Sequence, residues 1–160
     1  MKAGALLLLA IALLSLPALA AEPLVGNASV IDGDTIEIHG QRIRLHGIDA
    51  PESRQECTRS DGTPWRCGQQ AALALSDRIA RSVVHCDARG RDRYGRIISV
   101  CLKDTEDLNR WMVANGWAVA YRKYSLDYVT DEEHAHLAKA GIWSGTFDMP
   151  WDWRLQKQQR

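Results

Sequence analysis

Two groups of charged residues have the types and spacing to do chemistry. The first is Asp32-Gly33-Asp34, followed by Arg44-Leu45-His46-Gly47-Ile48-Asp49-Ala50-Pro51-Glu52. An Asp-Gly-Asp alone is an ordinary solvated turn. A second set of carboxylates, where a strand runs into a Pro-containing turn, changes that reading. Asp34, Asp49 and a backbone carbonyl exposed at such a turn are hard oxygen ligands, suited to Ca²⁺ or Mg²⁺ rather than zinc or copper. The second group is Arg89-Gly90-Arg91-Asp92-Arg93-Tyr94-Gly95-Arg96. Guanidinium groups match phosphate oxygens bidentately, which Lys does not. Arg96 opens an apolar strand and Arg44 lies between Ile43 and Leu45, so each must point off the apolar face toward a partner. Two strand-borne Arg beside a carboxylate-bound cation would clamp a phosphodiester. The cation would supply Lewis acidity, the Arg pair would offset charge developing on phosphorus oxygens, and Glu52, not needed for metal, would take the proton of the attacking water.

The elements that must position these groups follow from periodicity. Ile36 and Ile38 alternate with polar neighbours, as do Ile43 and Leu45, with Gly40 between them, which predicts a hairpin. Residues 51–68 are polar and turn-rich. Ala72, Leu75, Ile79 and Val83 share one helical face, predicting a helix over 68–83. Residues 84–87 and 96–102 bracket the Asp92–Gly95 turn as a second hairpin. Leu108, Trp111 and Met112 make a short helical face stopped by Gly116, residues 117–120 a short strand, and 125–140 a further helix stopped by Gly141, with Thr130 to Glu133 resembling a capping box as a second start. Strands, a helix, strands, then helices is an α+β order with a mainly β core, a small barrel with helices segregated around it.

Residues 1–20 differ in material. Lys2 precedes an unbroken apolar run from Leu6 to Leu14, Pro17 follows, and Ala18-Leu19-Ala20 offers a small-residue exit. This is the layout of a cleaved signal peptide, and it predicts export to the periplasm or the medium with no membrane attachment afterwards. Residues 21–28 read as a loose leader, 29–144 as the domain, and 145–160 as a tail that packs back through Trp151 and Trp153 and then frays. All four cysteines lie in the exported part, and four allow three pairings. Spacing favours Cys57–Cys67 across a short polar loop and Cys86–Cys101 across the second hairpin. A zinc site lacks the required ligand spacing.

The blocks Val30–Thr35, Arg44–Glu52 and Asp92–Arg96, with weaker matches at Gly116–Tyr121 and Gly141–Ser144, resemble the staphylococcal-nuclease-like (thermonuclease) family over about 29–144. The resemblance implies a five-stranded OB-type Greek-key barrel with three helices, and a Ca²⁺-dependent nuclease that cleaves DNA and RNA to 3′-phosphate products. It implies that Asp34, Asp49 and the Ala50 carbonyl bind Ca²⁺, that Arg44 and Arg96 contact the scissile phosphate, and that Glu52 is the general base. It also places Arg93, Tyr94 and Tyr121 at substrate-binding positions. The loop after Glu52, with Cys57, Trp65 and Cys67, departs from the family pattern, so no substrate contact is carried over there.

The rival class is a non-catalytic OB-type module for single-stranded nucleic acid. It needs a basic groove and stacking aromatics rather than carboxylates, and it leaves the combination of Asp34, Asp49, Glu52, Arg44 and Arg96 unexplained. The sequence predicts single-stranded DNA or RNA as substrate, no stable protein partner and a monomer. The 20 basic and 20 acidic residues cancel. That balance disfavours a salt-driven coat on nucleic acid. Regionally they do not cancel: residues 32–56 hold six acids and three Arg, while 77–96 hold six Arg and three Asp.

Overall fold

The computed structural model describes residues 23–159. The segment read as a signal peptide lies outside them. Among the described residues no helix is long and apolar enough to cross a membrane.

The chain forms β1 (Leu24–Asn27), β2 (Ser29–Asp32), β3 (Thr35–Ile38), β4 (Gln41–Leu45), β5 (Ile48–Asp49), β6 (Cys57–Thr58), β7 (Pro64–Trp65), α1 (Cys67–Ile79), β8 (Val83–Arg91), β9 (Ile97–Lys103), β10 (Glu106–Asp107), α2 (Leu108–Ala114), β11 (Val119–Ala120), α3 (Val129–Leu137) and α4 (Pro150–Gln158), with a 3₁₀ turn at Gly141–Ser144. The main sheet runs β1-β8-β9-β4-β3-β2, with β10 added beside β9. Its two ends, β1 and β2, are one chain segment interrupted at Ala28. The first half pairs with β8 and the second with β3. A single bent strand thus closes the curled sheet, and the expected five-stranded OB-type barrel is β1/β2, β3, β4, β9 and β8. Pairing is antiparallel except between β4 and β9. Closure of this kind leaves few open edges.

The predicted hairpins form as expected. Ile36, Ile38, Ile43 and Leu45 point inward and are essentially unexposed, because alternate side chains of a strand share a face. Ala71, Leu75 and Ile79 of α1 and Leu108 and Met112 of α2 pack on the same core. The α1 stripe therefore starts at Ala71 rather than Ala72, and Val83 belongs to β8 with its side chain exposed. Both disulfides pair as predicted. Cys86 and Cys101 face each other directly across β8–β9 inside the barrel.

Three expectations change. The leader read as loose contributes β1, whose order comes from its β8 partner rather than from any pattern of its own. The helix expected over 125–140 is confined to Val129–Leu137, the preceding residues forming turns. The tail, expected to pack back and then fray, forms a fourth helix, α4, beyond the three expected. It sits on a second apolar cluster of Cys57, Cys67, Val119 and Ile142, joined by Trp65, Trp143, Phe147, Met149 and Trp151. Trp65 meets Trp117 edge-on at 6.4 Å with Arg59 over its ring, so this loop aromatic packs against the protein.

Candidate active site

The site lies where the β2–β3 turn, the end of β4, β5 and the N-terminus of α1 meet. In the turn, the Asp34 amide donates to Asp32 Oδ1 at 3.1 Å, and the Asp34 carbonyl accepts from the Leu45 amide at 2.8 Å. The turn is thereby fixed to β4. A Cβ on Gly33 would stand 2.7 Å from the Ala50 side chain and 3.0 Å from that of Ala71. The bare glycine lets the turn, the Asp49–Glu52 segment and α1 touch.

Arg44 leaves β4 and divides its guanidinium between two carboxylates. Nη1 donates to Asp34 Oδ1 at 2.6 Å and Nη2 to Asp49 Oδ1 at 2.8 Å. Asp34 Oδ2 accepts from the Ala50 amide at 2.9 Å. Burial pushes the Asp34 carboxyl up, against the pull of Arg44, with Asp32 adding to the rise. Burial opposes the charge on Arg44, and Asp34 and Asp49 more than offset it, so the guanidinium is held above its ordinary range. Burial thus works against the charged form of Asp34, while the two carboxylates favour the charged form of Arg44.

Arg96 enters from the start of β9. Its Nε donates to Asp92 Oδ2 at 2.7 Å, and its Nη1 reaches Thr35 Oγ1 at 3.4 Å. Thr35 in turn donates to Asp34 Oδ1 at 3.1 Å. Asp92 Oδ1 also accepts from the amides of Tyr94 and Arg96, which shapes the β8–β9 turn. Burial opposes ionisation of Asp92, but Arg96 and these amides prevail and hold its carboxyl below the usual range. Tyr94 is exposed, with Arg93 and Arg96 over its ring at 4.8 and 5.8 Å. Tyr121 is half-buried and stacks on Trp151 of α4, centroids 5.4 Å apart and planes 11° from parallel.

Glu52 is placed by two devices. Gln55, fully buried, accepts from the Glu52 amide at 3.2 Å and donates to the Asp148 carbonyl at 2.6 Å. Gly68, in the first turn of α1, lies so close that a Cβ would fall 1.7 Å from the Glu52 carbonyl oxygen. Gly68→Ala should therefore push the Glu52 turn off α1, costing about 1–3 kcal/mol as an overpacked site does, with a matching fall in kcat. Thermal melts and initial rates check this, and an unchanged kcat would detach the turn from the reaction.

The structure thus brings Asp34, Arg44, Asp49, Ala50 and Glu52 together and joins Arg96 to them through Thr35. Arg93 and Tyr94 sit on the exposed rim beside Arg96, and Tyr121 on the α4 side. Sequence reasoning assigned no role to Asp92, Gln55 or Arg154. Asp92 was visible inside the Asp92–Arg96 motif as a carboxylate four residues from the arginine it holds. Gln55 gave no signal, being one amide in a polar loop. Arg154 lay in the segment read as a tail, where Pro150 as a helix start was the available hint. Its guanidinium donates to both Asp49 oxygens, at 3.0 and 2.8 Å, and to Glu52 Oε1 at 2.7 Å. Burial opposes its charge, and Asp49 and Glu52 more than restore it.

An OB-type barrel that gathers buried carboxylates and arginines at one end fits a phosphodiester hydrolase. The family model described as "Staphylococcal nuclease homologue" matches residues 42–145, and the chain belongs to that family of hydrolytic nucleases. It is 44% identical over 127 residues to the succinoglycan biosynthesis protein ExoI of Rhizobium meliloti (strain 1021), a match covering 78% of this chain and 66% of that one. An uncharacterized endonuclease of Escherichia coli is 37% identical over 136 residues, 80% of this chain and 82% of the relative. The micrococcal nuclease of Shigella flexneri is 32% identical over 145 residues, 78% and 76% of the two chains.

Proposed function

We propose that this nuclease is exported and Ca²⁺-dependent, and that it hydrolyses single-stranded DNA and RNA to 3′-phosphate and 5′-hydroxyl ends. The observation that carries the reading is the convergence of Arg44 on Asp34 and Asp49 with Glu52 alongside. Among the described residues no cage of three or more His, Cys, Asp or Glu side chains is gathered. The proposed ligand set needs only two side chains and a carbonyl. Asp34 and Asp49 are 4% and 0% exposed and offer oxygen alone. Asp32, Asp34, Asp49 and Glu52 bring four carboxylates against the guanidiniums of Arg44 and Arg154. More carboxylates than guanidiniums around hard donors fits a divalent cation.

Asp34, Asp49 and the Ala50 carbonyl would hold Ca²⁺, which when bound supplies Lewis acidity and orients the phosphate. Glu52 takes a proton from the attacking water as its oxygen bonds to phosphorus. Arg44 and Arg96 offset the added charge on the non-bridging oxygens. The bond to the 5′-oxygen breaks, and that oxygen leaves with a proton from solvent. Tyr94 and Arg93 on the rim, and Tyr121 beside α4, would hold the adjoining nucleotides by stacking and charge.

Purified protein should digest both single-stranded DNA and RNA with Ca²⁺ and stop on adding a chelator. Binding without cleavage would instead mark a non-catalytic module. Equal rates with Mg²⁺ would overturn the choice of metal and leave the reaction class standing.

A further inference from the structure

Arg154 has no part in the reaction as written, yet it makes as many hydrogen bonds in the site as Arg44 does. It spans Asp49 and Glu52 with three hydrogen bonds. Arg44 already donates to Asp49 Oδ1, so both Asp49 oxygens carry guanidinium contacts. Asp49 is fully buried, so its remaining lone pairs face no solvent. The helix that brings Arg154 is docked. Pro150 is buried, Trp151 stacks on Tyr121, and the Asp148 carbonyl just ahead of α4 is held by Gln55. Trp151 and Arg154, three residues apart, lie on one face of the helix.

A cation and a bidentate guanidinium cannot both use the same buried carboxylate oxygens, and like charges at that distance repel. We propose that Arg154 is a positioning residue that holds Asp49 and Glu52 in the metal-free enzyme and competes with the divalent cation for Asp49, so that α4 sets the calcium affinity. This rests on the calcium reading above. Without Arg154, Asp49 and Glu52 would lose the guanidinium they share. With Arg154 across them, they stay at fixed separation until the cation replaces part of that contact.

The test is calorimetric titration of the full-length protein with CaCl₂, run on wild type, Arg154→Ala and Arg154→Met, the last keeping an apolar stem against the helix. Both variants should bind Ca²⁺ about tenfold more tightly, the scale of one partly exposed ion pair. Their melting temperatures should lie below wild type without Ca²⁺, and the gap should close as Ca²⁺ rises, because tighter binding adds more stability. A merely structural Arg154 would lower the melting temperature equally at zero and saturating Ca²⁺ and leave the affinity unchanged or weaker. That result overturns the inference and spares the calcium reading. If neither wild type nor the variants bind Ca²⁺, both fall.

Discussion

Glu52→Gln is expected to lower kcat on single-stranded DNA by about a thousandfold, within the range for loss of a general base, with KM and the melting temperature near wild type. The reason for expecting an intact fold is local. The amide oxygen of Gln can still accept from Arg154 Nη1, now 2.7 Å from Glu52 Oε1. The backbone contacts that set the turn, to Gln55 and against Gly68, do not involve the side chain. Only the capacity to take a proton is removed. Initial rates with a labelled oligonucleotide separate kcat from KM. If kcat fell less than tenfold, the proton would have to go elsewhere, and the role proposed for Glu52 would be wrong.

Asp49→Ala should be the most damaging single change to stability at the site. It takes the shared acceptor from Arg44 and Arg154 together, and it leaves Asp34 as the remaining carboxylate partner of Arg44. Removing one member of a buried ion pair costs about 3–5 kcal/mol. Arg44 and Arg154 are 18% and 32% exposed at the side chain, so water recovers part of that, and a loss of about 2–3 kcal/mol is expected. Urea unfolding of metal-free protein measures it. Asp49→Asn keeps one acceptor oxygen and the shape, and should lose less. A ranking with Asn worse than Ala would show that a retained acceptor and shape do nothing for the two guanidiniums, and would overturn this account.

Much of the barrel and most of the charged cluster were legible in the sequence, for physical reasons. The β3–β4 hairpin is written in period-two alternation of Ile36, Ile38, Ile43 and Leu45, and its turn is local. Cys86 and Cys101 are equidistant from the Asp92–Gly95 turn, which pointed to their pairing, and the one-residue register shift between Ala88 and Gly90 is what brings them face to face. Asp34, Arg44, Asp49 and Glu52 fall within nineteen residues, close enough for one hairpin and its exit to gather them. What was not legible depends on distant partners. β1 has no pattern of its own and is ordered by β8. α4, with Trp151, Trp153 and Leu155 spread round its turns, lacks a clean apolar stripe. It is ordered by the Tyr121 ring and by Asp49, neither of which its own sequence encodes. Gln55 is the same case at one residue, since an amide becomes a clamp only when two backbone groups from separate regions reach it.

The Gln55 clamp has a consequence in time. It joins positions 93 residues apart, and the Asp49–Arg154 contact joins positions 105 apart. Contacts of such span form late, because a long loop must close first. During synthesis the barrel strands, complete by Lys103, leave the ribosome well before Asp148 does. A nascent chain at that stage can hold its core while the Glu52 turn is still unanchored. On the proposed reading, the geometry around Glu52 would be the last part of the fold to be fixed.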